Sequence, residues 1–124
     1  MNQATEKQRQ IGVIAAGAWG TALAANWAQR HQVTIWAREP EVVESINATH
    51  INSRFLPDIL LPEALKATND LVALLGSDVL VLATPVAALR STLQTLQTLY
   101  AGKVLPPLVW VCKGFEPQTG LLPH

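Results

Sequence analysis

The sequence predicts an α/β domain whose doubly wound parallel sheet carries helices on both faces. Runs rich in Val, Ile and Leu alternate about five times with helix-like segments along the 124 residues, which is typical of parallel strands joined by crossover helices. Apolar residues make up 49% of the chain and charged residues 15%, enough to bury both faces of a sheet. A glycine-containing turn separates the first strand-like run from the first helix-like segment.

The amino-terminal half is predicted to hold two strand–helix units. Residues 1–9 are polar and lack periodicity, so we expect a flexible tail, with the domain itself spanning residues 10–124. The predicted strands are Gln10–Ala15 and Val33–Trp36, the predicted helices are Gly20–Arg30 and Glu39 to about Asn47, and Asn52–Pro62 is expected to be an ordered loop.

The carboxyl-terminal half continues the alternation. A doubly wound sheet that stops soon after its fifth strand is unfinished, so we expect a truncated N-terminal domain that lacks a helical substrate domain. The predicted strands are Leu65–Thr68, Asp78–Ala83 and Leu108–Cys112; the predicted helices run from Asn69 or Asp70 to Leu75 and from Pro85 onwards, the latter with Leu89, Leu93, Leu96 and Tyr100 on one face.

Charge and cysteine content exclude several classes of protein. Nine Lys and Arg residues balance nine Asp and Glu residues, so no basic footprint for nucleic acid or an acidic membrane surface is present. A single cysteine, Cys112, excludes an internal disulfide framework, and the three histidines lack metal-ligand spacing. We therefore expect no metal site.

One segment superficially resembles a secretory signal peptide. Residues 11–28 are almost continuously apolar and follow Lys7 and Arg9. Three glycines, Thr21 and Asn26 interrupt this run, and it divides into a strand and a helix. The strand–helix interpretation is therefore favoured over a signal peptide or a membrane span.

The glycine turn carries the strongest functional signal. Ala15-Ala16-Gly17-Ala18-Trp19-Gly20 matches the second and third glycines of the dinucleotide fingerprint G-x-G-x-x-G, with alanine in the first position. In a Rossmann-type fold the residue at Gly17 lets the backbone approach a pyrophosphate, and the one at Gly20 lets helix and strand pack closely. The alternative is a tight turn in an α/β domain that binds no nucleotide.

The end of the second strand carries an arginine. NAD-selective enzymes usually place an acid here to bind the ribose hydroxyls. Arg38 lies 18 residues after Gly20 and can clamp a 2′-phosphate or stack on adenine. Glu39 is the competing acid, but its place before Pro40 suits a helix start, and a solvated surface arginine remains the alternative for Arg38.

Two further strands end in residues of chemical interest. Thr84 and Pro85 are expected beside the nicotinamide half of a cofactor, although Pro85 also suits a plain helix start. Lys113 follows the last strand, where an ammonium group can bind phosphate or polarise a carbonyl. Cys112 is interpreted as a packing residue and His50 as a surface residue without a catalytic role.

Together these segments resemble the N-terminal part of bacterial NAD(P)-dependent glycerol-3-phosphate dehydrogenases. The resemblance covers most of residues 11–122. Its most discriminating features are the tryptophan in the glycine turn and the Lys-Gly pair after the last strand. The matching pieces are Gly17–Ala24, Trp36–Arg38, Asn52–Pro57 with Leu61-Pro62, Ala83–Pro85 and Val109–Pro117. Three departures are Ala15 for glycine, Phe55 where tyrosine is common and Val86 where serine often follows the proline.

The resemblance implies reduction of dihydroxyacetone phosphate to sn-glycerol 3-phosphate with NADH or NADPH, which feeds phospholipid synthesis in the cytoplasm. The family's proton-donating lysine is expected beyond His124, so we expect no catalytic residue in this segment. By resemblance the cofactor contacts are Gly17, Ala18, Trp19, Gly20, Arg38, Phe55 and Lys113, and Lys113 also contacts the substrate.

The partner expected from the resemblance is a small phosphate-bearing substrate, without nucleic acid or membrane. Any homodimer would form through regions outside this chain. Two alternatives stay open at this point: a non-catalytic dinucleotide-binding or sensing module, and the cofactor domain of a related hydroxyacid or ketopantoate-type reductase. The latter explains Trp19 and the Lys113-Gly114 pair less well.

Overall fold

The computed structural model describes residues 8–15 and 17–111, and they form a five-stranded parallel sheet with the strand order β3-β2-β1-β4-β5. The predicted α/β class is confirmed. The strands are β1 (Gln10–Ile14), β2 (Gln32–Trp36), β3 (Lys66–Thr68), β4 (Val79–Leu82) and β5 (Leu108–Trp110), and the helices are α1 (Ala18–Trp27), α2 (Pro40–Thr49) and α3 (Val86–Leu99).

The chain winds outward from the central strand β1 in both directions. It first builds β2 and β3 on one side of β1 and then crosses to build β4 and β5 on the other. In the register of the sheet, Ile14 lies opposite Trp36 of β2 and Leu82 of β4. The carboxyl ends of these three strands therefore meet at one edge, with the reversal of strand order between β1 and β4.

Each face of the sheet has its own hydrophobic core, because side chains alternate between the faces of a strand. Helices α1 and α2 cover one face, and α3 covers the other. The first core includes Val13, Ala24, Val33, Ile35, Val42, Ile46, Leu61 and Leu65; the second includes Ile14, Leu74, Leu80, Leu82, Leu96 and Tyr100, with Leu89 and Leu93 packed against it. The predicted apolar face of α3 is confirmed.

The free edge of β3 is covered by a side chain of α2. The Asn47 amide donates to the Ala67 carbonyl and accepts from the Ala67 N–H, both at 2.9 Å. These two bonds imitate the ladder of a neighbouring strand and satisfy the backbone of the edge strand.

In the described part of the chain, no helix is both long and apolar enough to cross a membrane.

The connection between β3 and β4 differs from the prediction. We predicted a helix up to Leu75, but residues Leu71–Leu74 form a single 3₁₀ turn. The predicted cap is present, since the Asp70 carboxylate accepts from the N–H of Val72 at 3.0 Å. Only a few residues separate the cap from Gly76, so the chain must turn into β4 before a longer helix can form.

The loop after α2 is ordered, as predicted, and His50 helps to order it. His50 ends α2 in the left-handed conformation, with φ 60°, and its carbonyl accepts from the N–H of Leu61 at 2.7 Å. The prediction of a surface residue is wrong, because the His50 side chain is half-buried and its Nδ1 is enclosed without a hydrogen-bond partner among the described residues.

Candidate functional site

The candidate site lies at the carboxyl edge of the sheet, where the strand order reverses between β1 and β4. In open α/β sheets ligands bind in the crevice at this switch point, because the loops after the two strands diverge to opposite faces. The glycine turn leaves β1 here, and Thr84 and Pro85 leave β4. Two of the segments singled out from the sequence are therefore neighbours in the fold.

Ala15 holds a backbone conformation that alanine rarely adopts. Its φ is +98°, and its N–H donates to the carbonyl of Trp36 at 3.0 Å, so the ladder with β2 fixes this residue. A Cβ atom at positive φ meets the adjacent backbone, which is why glycine normally occupies this position. The predicted strand Gln10–Ala15 ends at Ile14 for the same reason.

The two glycines of the turn are required for different reasons. A Cβ atom at Gly20 would collide with the carbonyl oxygen of Ala15 and lie 3.1 Å from the Cβ of Ala83, so Gly20 allows α1 to approach the sheet. A Cβ atom at Gly17 would meet no atom of the described residues within 4 Å, and the Gly17 φ of −70° is open to any residue. The protein's own packing therefore explains Gly20 but not Gly17.

The amino terminus of α1 faces the space beside Gly17. Gly17 is the N-cap and provides no side-chain cap, and the first turn carries no acidic residue. The first N–H groups of a helix lack partners within it and carry partial positive charge, which favours an anion. Trp19 lies in this turn and is 44% exposed, although apolar side chains of this size are usually buried.

Arg38 lies after β2 on the same edge of the sheet. It is exposed and forms no ion pair with any described residue. Glu39 is the N-cap of α2, and its carbonyl accepts from the N–H of Val42 at 3.0 Å. The interpretation of Glu39 as a helix start is therefore confirmed, and neither the Arg38 guanidinium nor the Glu39 carboxylate pairs with another described residue.

Phe55 lies in a turn that packs beside α1 and α2. It is half-buried against the first core, and the guanidinium of Arg54 lies 5.1 Å from the centre of its ring. Arg54 also pairs with Glu41 in the first turn of α2 at 2.8 Å. Both charged groups are well exposed, so this pair contributes less to stability than to the orientation of the turn.

The segment after β4 is tied to the edge strand β5. The indole Nε1 of Trp110 donates to the Thr84 carbonyl at 3.1 Å. The Thr84 hydroxyl is buried without a hydrogen-bond partner among the described residues, and Pro85 is the N-cap of α3. The helix-start interpretation of Pro85 is thus correct, and it places Thr84 beside the switch point.

Several predicted residues lie outside the described part of the chain. Lys113, Cys112 and Gly114 fall there, as do Ala16 and residues 1–7 of the predicted tail (residues 1–9). Arg9, at the end of that predicted tail, is hydrogen-bonded to His31 and Gln32. The last predicted strand, Leu108–Cys112, is observed as Leu108–Trp110. The role of Lys113 in binding therefore stays a prediction from the sequence.

One contact of the site was not predicted from the sequence. Thr21 and Asn52 are both completely buried, and the Asn52 amide donates to the Thr21 hydroxyl at 2.8 Å. The signal available in the sequence was a threonine within the apolar run of α1 and an asparagine at the start of the Phe55 segment. Nothing in the sequence indicates that the two residues meet.

The parallel sheet, the reversal of strand order and the glycine turn at that reversal define a Rossmann-type domain. Residues 10–124 match the family model described as the N-terminus of NAD-dependent glycerol-3-phosphate dehydrogenase. The chain belongs to this family.

Curated relatives agree with this family. The chain is 46% identical over 116 residues to the glycerol-3-phosphate dehydrogenase [NAD(P)+] of Thiobacillus denitrificans and 47% identical to that of Dechloromonas aromatica. Each match covers 93% of this chain and 34% of the relative. The chain therefore spans about a third of the length of the curated relatives that it matches.

Solved structures agree as well. The glycerol-3-phosphate dehydrogenase of Coxiella burnetii superposes with a TM-score of 0.75 at 30% identity, covering 90% of this chain and 34% of that one. The enzyme of Saccharomyces cerevisiae gives 0.74 at 28% identity, covering 89% and 35%. A 2-dehydropantoate 2-reductase of Bacillus subtilis, at 19% identity and a TM-score of 0.63 over 85% of this chain and 34% of that one, shares the fold alone.

Proposed function

We propose that this chain supplies the cofactor-binding part of an enzyme that reduces dihydroxyacetone phosphate to sn-glycerol 3-phosphate with NADH or NADPH, and catalyses the reverse reaction. Its relatives carry the name of this enzyme. The observation that carries the proposal is Gly17. Neither its φ nor the packing around it requires glycine, whereas a ligand that approaches the backbone closely does require it.

In this proposal the turn from Gly17 to Gly20 binds the pyrophosphate of the dinucleotide. The N–H groups of Ala18, Trp19 and Gly20 belong to the first turn of α1, and the absence of a carboxylate from that turn leaves the positive end of the helix available. The exposed indole of Trp19 lies beside these groups and gains an apolar neighbour when the cofactor binds.

We assign Arg38 to binding the adenosine end of the cofactor. Because Arg38 is exposed and unpaired among the described residues, its guanidinium is available to a 2′-phosphate in a charge-assisted hydrogen bond. The nearby Glu39 is the helix N-cap and offers its backbone rather than its side chain to α2. We therefore propose that both NADPH and NADH are accepted, as NADP or NAD in the reverse direction.

The cofactor supplies the hydride, and the chain's residues bind and orient the cofactor. We assign Phe55 to the wall beside the cofactor and Lys113 to contacts with both cofactor and substrate, whose phosphate an ammonium group suits. We place the general acid lysine outside residues 10–124, which we assign as the dinucleotide-binding domain. The small phosphate-bearing substrate and the cytoplasmic location rest on the family likeness.

Titration calorimetry of the chain with NADPH and NADH tests the proposal. The Gly17→Val variant is expected to lose binding without losing its fold, because a Cβ there meets nothing within 4 Å in the part of the chain that the structure describes. Gly76→Val is the matched control, since a Cβ at Gly76 meets only the Gln10 side chain, at 3.7 Å, at the amino edge of the sheet. Equal NADPH affinity in Gly17→Val and the unaltered chain contradicts the proposed site.

A further inference from the structure

One buried amide joins the two segments assigned to the cofactor. The Nδ2 of Asn52 donates to the Thr21 hydroxyl at 2.8 Å, and its Oδ1 accepts from the N–H of Phe55 at 3.1 Å. The Asn52 carbonyl also accepts from the N–H of Leu56 at 2.8 Å. The Asn52 side chain thus forms the turn that presents Phe55 and at the same time fixes this turn to α1.

The other end of the contact is part of the glycine turn. Thr21 directly follows Gly20, and its N–H donates to the carbonyl of Gly17 at 2.9 Å. The position of Thr21 is therefore set by the same first turn of α1 that we assign to the pyrophosphate. A displacement of Asn52 changes the separation between this turn and Phe55.

The chemistry of this contact favours a positioning role. Asn52 has no exposed surface, so it cannot touch a ligand. A buried polar pair adds little stability over apolar residues of the same shape, but it accepts only one geometry, because an unsatisfied amide is costly in the interior. A residue of this kind fixes a distance better than an apolar contact does.

We propose that Asn52 is a positioning residue for dinucleotide binding, which holds the Phe55 turn at a fixed separation from the glycine turn of α1. The proposal rests on the proposed function, since it assumes that the dinucleotide binds between these two segments. Asn52 acts through Phe55 and through Thr21, and its removal releases the Phe55 turn while the glycine turn keeps its own bonds.

The first test compares two asparagines whose side-chain amides each donate one hydrogen bond and accept another. Asn52→Ala is expected to raise the Kd for NADPH, measured by calorimetry, at least about tenfold. Asn47→Ala is the control, because Asn47 also makes two amide bonds, both to Ala67 at the edge of β3. It is expected to lower the free energy of unfolding in a urea titration while leaving the Kd unchanged. An equal rise in Kd in both variants overturns the proposal.

The second test is a double-mutant cycle with Phe55. If Asn52 acts through Phe55, then Asn52→Ala adds little to the Kd once Phe55→Ala has removed the ring. A purely structural role predicts additive losses in the Kd. Additive losses overturn the proposal. If Asn52→Ala does not fold, Thr21→Val replaces it in the same cycle, because valine keeps the shape of threonine and removes the acceptor hydroxyl.

The outcomes separate this proposal from the proposed function. Failure of the unaltered chain to bind NADPH or NADH overturns both. Binding by the unaltered chain, together with an unchanged Kd in Asn52→Ala, overturns only the role of Asn52. The proposal is supported if Asn52→Ala raises the Kd in the unaltered chain but does not raise it further in the Phe55→Ala variant.

Discussion

The carbonyl oxygen of Ala15 lies where a Cβ atom of Gly20 would have to be. The two residues occupy the first and third positions of the glycine fingerprint, and they restrain each other. The positive φ of Ala15 directs the turn towards α1, and the missing side chain of Gly20 leaves room for it. Alanine occupies the first position at a positive φ, whereas the third position has no room for a side chain.

Replacing Ala15 by glycine is expected to stabilise the chain. Removing the Cβ relieves strain at a φ of +98°, which we expect to raise the free energy of unfolding by about 1 kcal/mol. It also removes a methyl group from the turn assigned to the pyrophosphate, so NADPH binding should tighten modestly. Urea titration and calorimetry measure the two effects separately.

A matched alanine provides the control for this prediction. Ala22 is exposed within α1, and Ala22→Gly should lower the free energy of unfolding by about 1 kcal/mol, because glycine is a poor helix former. Weaker cofactor binding in Ala15→Gly would show that the turn has adapted to alanine. A lower stability in that variant would contradict the assignment of strain.

Arg38→Ala is expected to weaken NADPH more than NADH. No described residue pairs with the guanidinium, so it can bind the 2′-phosphate, which only NADPH carries, and the loss should be several-fold to about a hundredfold in Kd. Arg30→Ala is the control, since Arg30 is exposed between α1 and β2 at the opposite edge of the sheet. Equal losses for both cofactors would reduce Arg38 to an adenine-stacking or surface role.

The 124-residue chain by itself is expected to show no dehydrogenase turnover. Hydride transfer needs a carbonyl held about 3–3.5 Å from the nicotinamide and a proton donor for the developing alkoxide. Among the residues after Ala83, Lys113 is the only candidate for a general acid. One lysine cannot readily bind the phosphate of the substrate and also protonate its alkoxide oxygen. NADPH oxidation in the presence of dihydroxyacetone phosphate checks this, and turnover well above background contradicts it.

The single tyrosine makes stability depend on pH in the alkaline range. The Tyr100 hydroxyl donates to the buried carbonyl of Leu74 at 3.1 Å, and burial raises the pKa of this hydroxyl above its ordinary value of 10.0. The unfolded chain therefore releases this proton first, so its contribution to stability is full below pH 10 and falls as the pH rises through the higher folded pKa.

Tyr100→Phe tests this dependence. The variant is expected to lose about 1 kcal/mol at neutral pH, because it loses one hydrogen bond to the Leu74 carbonyl, which keeps its bond from the Ser77 N–H at 3.0 Å. Above pH 10 the gap between the two proteins should narrow, since phenylalanine does not titrate. Urea titrations from pH 8 to 11 measure it, and a constant gap across that range would show that Tyr100 does not carry the effect.

Much of the fold could be predicted from the sequence because its strands are short apolar runs between clear turns. The glycine spacing also placed Gly17 in the turn before α1, where it is the N-cap, although α1 begins at Ala18 rather than at the predicted Gly20. The 3₁₀ turn at Leu71–Leu74 was missed because so short an apolar segment has no period that separates it from a helix.

The contacts within the site could not be predicted in the same way. Thr21 and Asn52 lie 31 positions apart, and Thr84 and Trp110 lie 26 positions apart. A local pattern reports which face of an element is apolar, but it does not identify the partner of a buried polar group. Those partners follow from the packing of α1 against the loop after α2 and of β5 against β4.

The position of β1 at the centre of the sheet has a consequence for the growing polypeptide. β1 pairs with β2, 22 positions downstream, and with β4, 68 positions downstream. At about 5–20 residues per second, the ribosome needs roughly 3–14 seconds to supply the second partner. Throughout that interval one Ile- and Val-rich edge of β1 stays unpaired, and an unpaired strand edge is open to pairing with another copy of the chain.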